Sequence, residues 1–189
     1  HKFSVAYIPR KAFRTKKLGT DILMGVAVNG IPFDPMAAEF YLGNHKGWQY
    51  NALGGAIPLG LDANYAHVQP SGAYHYHGLP VGLMQELGWQ AGRPSPLIGY
   101  AADGFPIFAM TAKVDGKVKR MRSSYRLKPG NRPGGSKPSG PHDGSFINDY
   151  EYVRGAGDLD ACNGVKVTTP DYPNGVYAYF LTRKFPVVP

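Results

Sequence analysis

The chain has 189 residues, of which 43% are hydrophobic, with a formal net charge of +8, 25 glycines, 17 prolines and one cysteine. That length supports one domain with a real core, and the surplus of glycine and proline predicts many turns and irregular segments. No apolar run approaches the ~18–20 residues a bilayer span needs, and a lone cysteine excludes a disulfide within these residues.

Phe3 to Ile8 reads as an opening strand, ended by Pro9. Gly25 to Val28 is a short β-prone run closed by the turn Asn29-Gly30-Ile31-Pro32. Phe33 to Tyr41 holds one helical turn, Met36 to Phe40, behind Asp34-Pro35. Gly54 to Leu61 is an apolar, glycine-rich extended piece that brings Asp62 and Asn64 toward His67. Tyr74 to His77 is a strand, and Val81 to Leu87 is the best helix in the chain despite Gly82. Pro96 to Phe108 gives two apolar strands about an Asp103-Gly104 turn, and Lys113 to Arg122 a hairpin about Asp115-Gly116. Lys128 to Gly144 is a long loop, and Tyr150 to Val153 and Val176 to Leu181 are strands, the latter behind Pro173-Asn174-Gly175. With 13 Tyr and 9 Phe favouring sheet, the expected fold is mainly β, a sandwich or barrel-like, with long loops and one or two short helices.

Tyr74-His75-Tyr76-His77 carries the most chemistry. On a strand, His75 and His77 share one face, about 7 Å apart, and Tyr74 and Tyr76 share the other. His67 lies upstream of the turn Pro70-Ser71-Gly72, so folding back would add a third imidazole. Three nitrogen ligands from a sheet suit Zn²⁺ or Cu²⁺ and leave a position open for water or substrate. Asp62, Asn64, Asp103 or a backbone carbonyl would orient the rings, with Asp103 also an acid/base candidate. The alternative is that these histidines are hydrogen-bonded members of an aromatic core.

Tyr74 or Tyr76 beside a histidine is also an acid/base pair of the kind that removes the proton α to a carboxylate. That would make the protein a metal-independent lyase or hydrolase of acidic polysaccharide. A third reading is a non-catalytic carbohydrate- or surface-binding module. Asp158-Leu159-Asp160 in a turn-rich stretch can face one Ca²⁺, though without the full loop pattern of a helix–loop–helix calcium site. His142-Asp143 and His45 are weaker candidates, and His1 would chelate copper only as the true mature terminus. Nothing resembles a G-x-S-x-G elbow, a phosphate-binding loop or a dinucleotide fingerprint.

The positive charge is clustered. Arg10, Lys11, Arg14, Lys16 and Lys17 form one group; Lys113, Lys117, Lys119, Arg120, Arg122, Arg126, Lys128, Arg132 and Lys137 form another. Such fields attract an anionic polysaccharide or another polyanion, or serve solubility alone. No recognised nucleic-acid reader motif accompanies them.

Several segments in order, Asn29-Gly-Ile-Pro-Phe-Asp-Pro35, Leu59-Gly-Leu-Asp62, His67 to Gly78, Ala102 to Phe108, Ser123 to Lys128, Asp143 to Phe146, Asp149 to Tyr152, Gly157 to Gly164 and Tyr177 to Thr182, resemble the YHYH family. The resemblance spans nearly the whole chain and implies an exported, periplasmic or extracellular protein of a largely uncharacterised family. Relatives extend further at both ends, which implies one YHYH-type domain over 1–189, trimmed at both ends. They continue past Phe-Pro-x-x-Pro with a cysteine, which implies that Cys162 pairs with a residue beyond Pro189.

Overall fold

The computed structural model describes residues 2–16, 19 and 22–189; His1 and Lys17, singled out above, lie outside the described residues. Twelve strands form, in chain order, β1 (Gly25–Ala27), β2 (Pro32–Phe33), β3 (Ala66–Val68), β4 (Tyr74–Tyr76), β5 (Leu97–Ala101), β6 (Pro106–Ala109), β7 (Thr111–Val114), β8 (Lys117–Arg120), β9 (Tyr125–Leu127), β10 (Tyr150–Tyr152), β11 (Gly164–Thr169) and β12 (Tyr172–Leu181). The one α-helix, α1, is Val81–Glu86, and 3₁₀ turns cover Tyr41–Gly43 and Ile147–Asp149.

Eight strands make one open sheet in the order β11-β12-β6-β5-β1-β2-β4-β3, and β9–β10 and β7–β8 are separate two-stranded ribbons. The fold is therefore mainly β, as expected, but the large sheet is not closed into a barrel. Its pairings are antiparallel except β12 with β6 and β2 with β4. Both faces of its centre are covered. Ile107 and Leu181 belong to one core cluster, while their chain neighbours Phe108 and Phe180 belong to another. Since successive strand residues point to opposite faces, one core lies on each side. Leu83 and Met84 of α1 join the first.

The pairing of β1 with β5 depends on two glycines. A Cβ at Gly25 would sit 2.3 Å from the Tyr100 carbonyl oxygen, and one at Gly99 would sit 2.3 Å from that of Val26. Both obstacles are backbone and cannot rotate away. Gly99→Ala is expected to destabilise the protein by about 1–3 kcal/mol, the usual cost of overpacking. Gly92→Ala, into open space, should stay within about 0.5 kcal/mol. Urea unfolding midpoints of the two variants check this.

Several expected elements change. Phe3 to Ile8 forms no strand, and Tyr7 and Ile8 are exposed. High β-propensity alone does not make a strand. Met36 to Phe40 is not helical; the Asp34 side chain accepts from the Met36 N–H and turns the chain there, and the short helical turn begins at Tyr41. The strand expected from Val176 starts at Tyr172, passing through Pro173-Asn174-Gly175. Strands β2, β3, β9 and β11 form where none is expected from the sequence. The helix and the hairpin about Asp115-Gly116 form as expected, the latter with positive φ at both turn residues.

Lys128 to Gly144 is irregular but tightly organised around a buried cation. Arg132 donates from Nε to Asp149 Oδ1 at 2.8 Å and from Nη2 to Asp149 Oδ2 at 2.7 Å. It also reaches Asp143 and the Ser139 carbonyl, with its guanidinium 4.9 Å from the Phe146 ring centre. Arg132 is thus no part of a solvated basic face. It is the peg that fixes the loop.

Candidate metal centre

Strand β3 and strand β4 form a hairpin at one edge of the large sheet, with His67 directly opposite His75. One step further, the His77 N–H donates to the Tyr65 carbonyl. Alternation therefore places His67, His75 and His77 on one face. Tyr74 and Tyr76 point the other way: Tyr76 is buried in the first core, with Tyr74 packed against it, and the two rings meet edge to face 5.9 Å apart. Sequence pattern and structure agree here, because a two-residue side-chain period leaves no other arrangement.

The three imidazoles converge on their Nε2 atoms. His75 Nε2 lies 2.9 Å from His77 Nε2, which lies 3.2 Å from His67 Nε2. His67 Nδ1 faces the Leu59 carbonyl at 2.6 Å, and His75 Nδ1 faces the Ala73 carbonyl at 3.2 Å. Carbonyls only accept, so both Nδ1 atoms carry a hydrogen, and in the matching neutral tautomer each Nε2 turns its lone pair inward. His77 Nε2 can offer one proton between them. His77 Nδ1 is buried without a hydrogen-bond partner of normal geometry.

Burial disfavours a charge on His77, and His75 and His67 beside it add repulsion, so its pKa falls to about 4. Three inward nitrogens with at most one shared proton are a ready ligand set. Zn–N bonds of about 2.0–2.1 Å in tetrahedral geometry would separate ligand nitrogens by about 3.3 Å, close to the two spacings found. Among the described residues, these three histidines are the group able to hold a metal ion.

Orientation of the rings comes from carbonyls rather than from the carboxylates considered above. Asp62 accepts from the Tyr74 hydroxyl at 2.5 Å and from the N–H groups of Asn64 and Ala66. Asn64 accepts from the Gly82 N–H at the start of α1. Burial and the bond to Asp62 push the Tyr74 hydroxyl up to about 12, and Tyr76 accepts from Asn29 at 2.9 Å. Asp103 accepts from Tyr179 at 2.7 Å and lines the same open groove as His77.

The remaining candidates go elsewhere. His142 stacks on Trp48, and His45 lies against Phe40. Asp158 pairs with Lys119 and Arg122, while Asp160 accepts from Cys162 N–H, Gly164 N–H and the Tyr177 hydroxyl. The two carboxylates read as Ca²⁺ ligands are thus spent on a salt bridge and a turn. Cys162 is a free, half-buried thiol whose pKa burial raises.

A family model described as YHYH protein matches residues 2–189. The chain belongs to the YHYH family. No curated protein and no solved structure matches it. In this YHYH protein the tetrapeptide thus supplies two of three converging imidazoles on one face and a core tyrosine on the other. No helix among the described residues is long and apolar enough to cross a membrane.

Proposed function

We propose that this YHYH protein is exported and binds a transition metal, Zn²⁺ or Cu²⁺, through His67, His75 and His77. The observation that carries this reading is the convergence of three Nε2 atoms, at 2.9 and 3.2 Å, with two of them stripped of hydrogen by carbonyls behind the rings. Imidazole suits both metals, and three neutral ligands leave the ion's double positive charge uncompensated. The open position then favours an anionic ligand, or water activated for hydrolysis. Asp103, on the wall of the same groove, is the carboxylate available to move a proton. Ca²⁺ fits this nitrogen set poorly, since it prefers oxygen ligands.

Family resemblance is what supports export, and the partner we propose is an anion. Nine cations and one carboxylate, Asp103, line the groove that His77 enters. The alternative of a Tyr/His acid–base pair would have to draw on two tyrosines that face away from the imidazoles, one already donating to Asp62. Elemental analysis of untagged protein supplied with Zn²⁺ and Cu²⁺ tests the proposal. Near one equivalent of metal is expected, and its absence from wild type would sink the metal reading. For turnover, Asp103→Asn is expected to lower hydrolysis of an activated ester at least tenfold while leaving metal content unchanged.

A further inference from the structure

Three separate pieces of chain enclose a second, smaller pocket of about 380 Å³. Tyr41, Asn44, Lys46 and Trp48 come from one, Ser136 and Lys137 from the tip of the Lys128–Gly144 loop, and Asn148 from the second 3₁₀ turn. The frame around it is fixed. The Asn44 side chain accepts from the Lys46 N–H at 3.1 Å, and the Trp48 carbonyl accepts from the Tyr41 N–H at 2.8 Å. At the loop tip the Lys137 N–H donates to the Gly134 carbonyl at 3.1 Å. Behind the pocket, the buried Phe146 ring meets Tyr41 and Trp48 edge to face, at 6.0 and 5.6 Å. Phe146 itself lies against the Arg132 guanidinium, so both aromatic walls stand on the buried Arg132–Asp149 pair.

What this pocket offers a ligand is almost entirely donors. The side-chain oxygens of Asn44 and Asn148 accept the N–H groups of Lys46 and Gln49, which leaves each NH₂ as the uncommitted end. The ammonium groups of Lys46 and Lys137, the Trp48 indole N–H and the hydroxyls of Tyr41 and Ser136 have no hydrogen-bond or ion-pair partner among the described residues. No carboxylate lines the pocket. These groups are open to solvent: Asn44, Lys46, Ser136 and Lys137 are exposed, and Tyr41 and Trp48 are half-buried.

We infer that this pocket binds one acidic sugar residue, a hexuronate, with its carboxylate on Lys46 and Lys137, its hydroxyls on the two amides and its C–H groups against Trp48 and Tyr41. Two unpaired ammonium groups with no carboxylate between them select an anion, and charge-assisted bonds to a carboxylate are the strong ones. A bare oxyanion would use only a compact part of this donor set, whereas amides, indole and hydroxyls from three pieces of chain suit oxygens spread around a ring. Tyrosine and tryptophan join an apolar body to a polar tip, which matches a sugar's C–H face and hydroxyl edge. Small-molecule sites span roughly 300–1,000 Å³, so a pocket at the low end of that range suits one ring rather than a stretch of polymer. The site goes beyond the metal reading and does not rest on it, since it contains none of His67, His75 and His77.

The test is a calorimetric titration with trigalacturonate, with the neutral trimer maltotriose as comparison. It is run in ~0.15 M salt, where exposed charges are screened beyond about 8 Å, and with EDTA throughout so that no metal takes part. Trigalacturonate is expected to bind at least tenfold tighter than maltotriose, a difference of about 1.4 kcal/mol. Lys46→Gln/Lys137→Gln should weaken it on the order of tenfold. Lys113→Gln/Lys117→Gln, the same charge loss on the β7–β8 ribbon, should change it less than about twofold. All four lysines are exposed, so both variants should keep the wild-type urea midpoint. Fluorescence locates the ligand, because the chain has two tryptophans and Trp89 donates its indole N–H to the Ala109 carbonyl rather than lining this pocket. Trigalacturonate should alter the emission of wild type and leave that of Trp48→Phe unchanged. Equal losses in the two lysine variants, or no loss in Lys46→Gln/Lys137→Gln, would overturn the inference. So would equal binding of both trimers or of neither, or an emission change that persists in Trp48→Phe. Sulfate displacing trigalacturonate at lower concentration than free galacturonate does would assign the pocket to a bare oxyanion and overturn the sugar.

Discussion

Saturating Zn²⁺ or Cu²⁺ is expected to raise the melting temperature of the wild-type protein by ~5–10 °C and to leave the His75→Ala/His77→Ala variant unmoved. A ligand that binds only the folded state, at about 100 times its Kd, contributes about 2.7 kcal/mol. In a chain of this size each kcal/mol moves the midpoint by about 2–4 °C. The folded state is the one that binds because the three nitrogens come together only through the β3–β4 hairpin, where His67 faces His75 and His77 follows on the same face. At His77 little proton competition opposes the ion at pH 7, since burial and two neighbouring imidazoles hold its pKa down to about 4.

The comparison is made within each protein, with and without metal, because truncating two buried histidines also changes packing. EDTA should reverse the wild-type shift. A shift of equal size in the double variant would place the metal elsewhere, and no shift in either would leave the triad as a hydrogen-bonded structural cluster. Leu59 offers a finer test. Its carbonyl fixes the His67 tautomer at 2.6 Å, and loss of such an orienting partner typically weakens metal affinity 10–100-fold. Leu59→Ala, which keeps both the carbonyl and the N–H that donates to Ile57, is expected to retain metal, whereas His67→Phe should lose it. Elemental analysis distinguishes the two.

How far the sequence foretold this site is a matter of range. The face shared by His75 and His77 is a local consequence of strand periodicity, and His67 joined it because a single turn, Pro70 to Gly72, folds the chain back. The carbonyls behind the rings could not be seen, because any residue has one; Leu59 gives no side-chain signal. The same limit explains the fold. Hairpins with Asp-Gly turns were legible, but β9 pairs with β10 across the whole Lys128–Gly144 loop, and β11 pairs with β12 through a register shift near Thr169. Phe3 to Ile8 shows the converse, a run with strand propensity that forms no strand. Charge was the least transparent: Arg132 looked like one more solvated cation, and only the return of Asp149 to the loop makes it a buried pair.

That pair carries the second large expectation: Asp149→Ala should destabilise the protein by about 3–5 kcal/mol, because it removes the fully buried partner of two Arg132 nitrogens and leaves the buried guanidinium only the half-exposed Asp143. Asp149 is fully buried. Besides Nη2 of Arg132, its Oδ2 accepts the N–H groups of Gly144 at 3.0 Å and Phe146 at 3.1 Å, so the substitution also orphans two backbone donors. Replacing both charges with apolar residues, Arg132→Met/Asp149→Leu, should cost less than the single change, since the buried guanidinium goes with its partner and only the two orphaned N–H groups remain. A double-mutant cycle by urea unfolding measures the difference. The pH dependence has a definite sign. Burial alone would raise the Asp149 carboxyl, but the Arg132 guanidinium and the two N–H donors outweigh it and lower it below its ordinary 3.8. Asp143, hydrogen-bonded to Ser145 and to Arg132, is held down to about 2. Carboxylates depressed in the folded state bind protons more readily when unfolded, so their contribution is complete above about pH 4–5 and is lost as pH falls toward 2. Wild type should therefore lose stability steeply over that acid range, and the Arg132→Met/Asp149→Leu variant should show a flatter profile. Parallel profiles for the two would show that the loop's acid sensitivity lies outside this pair.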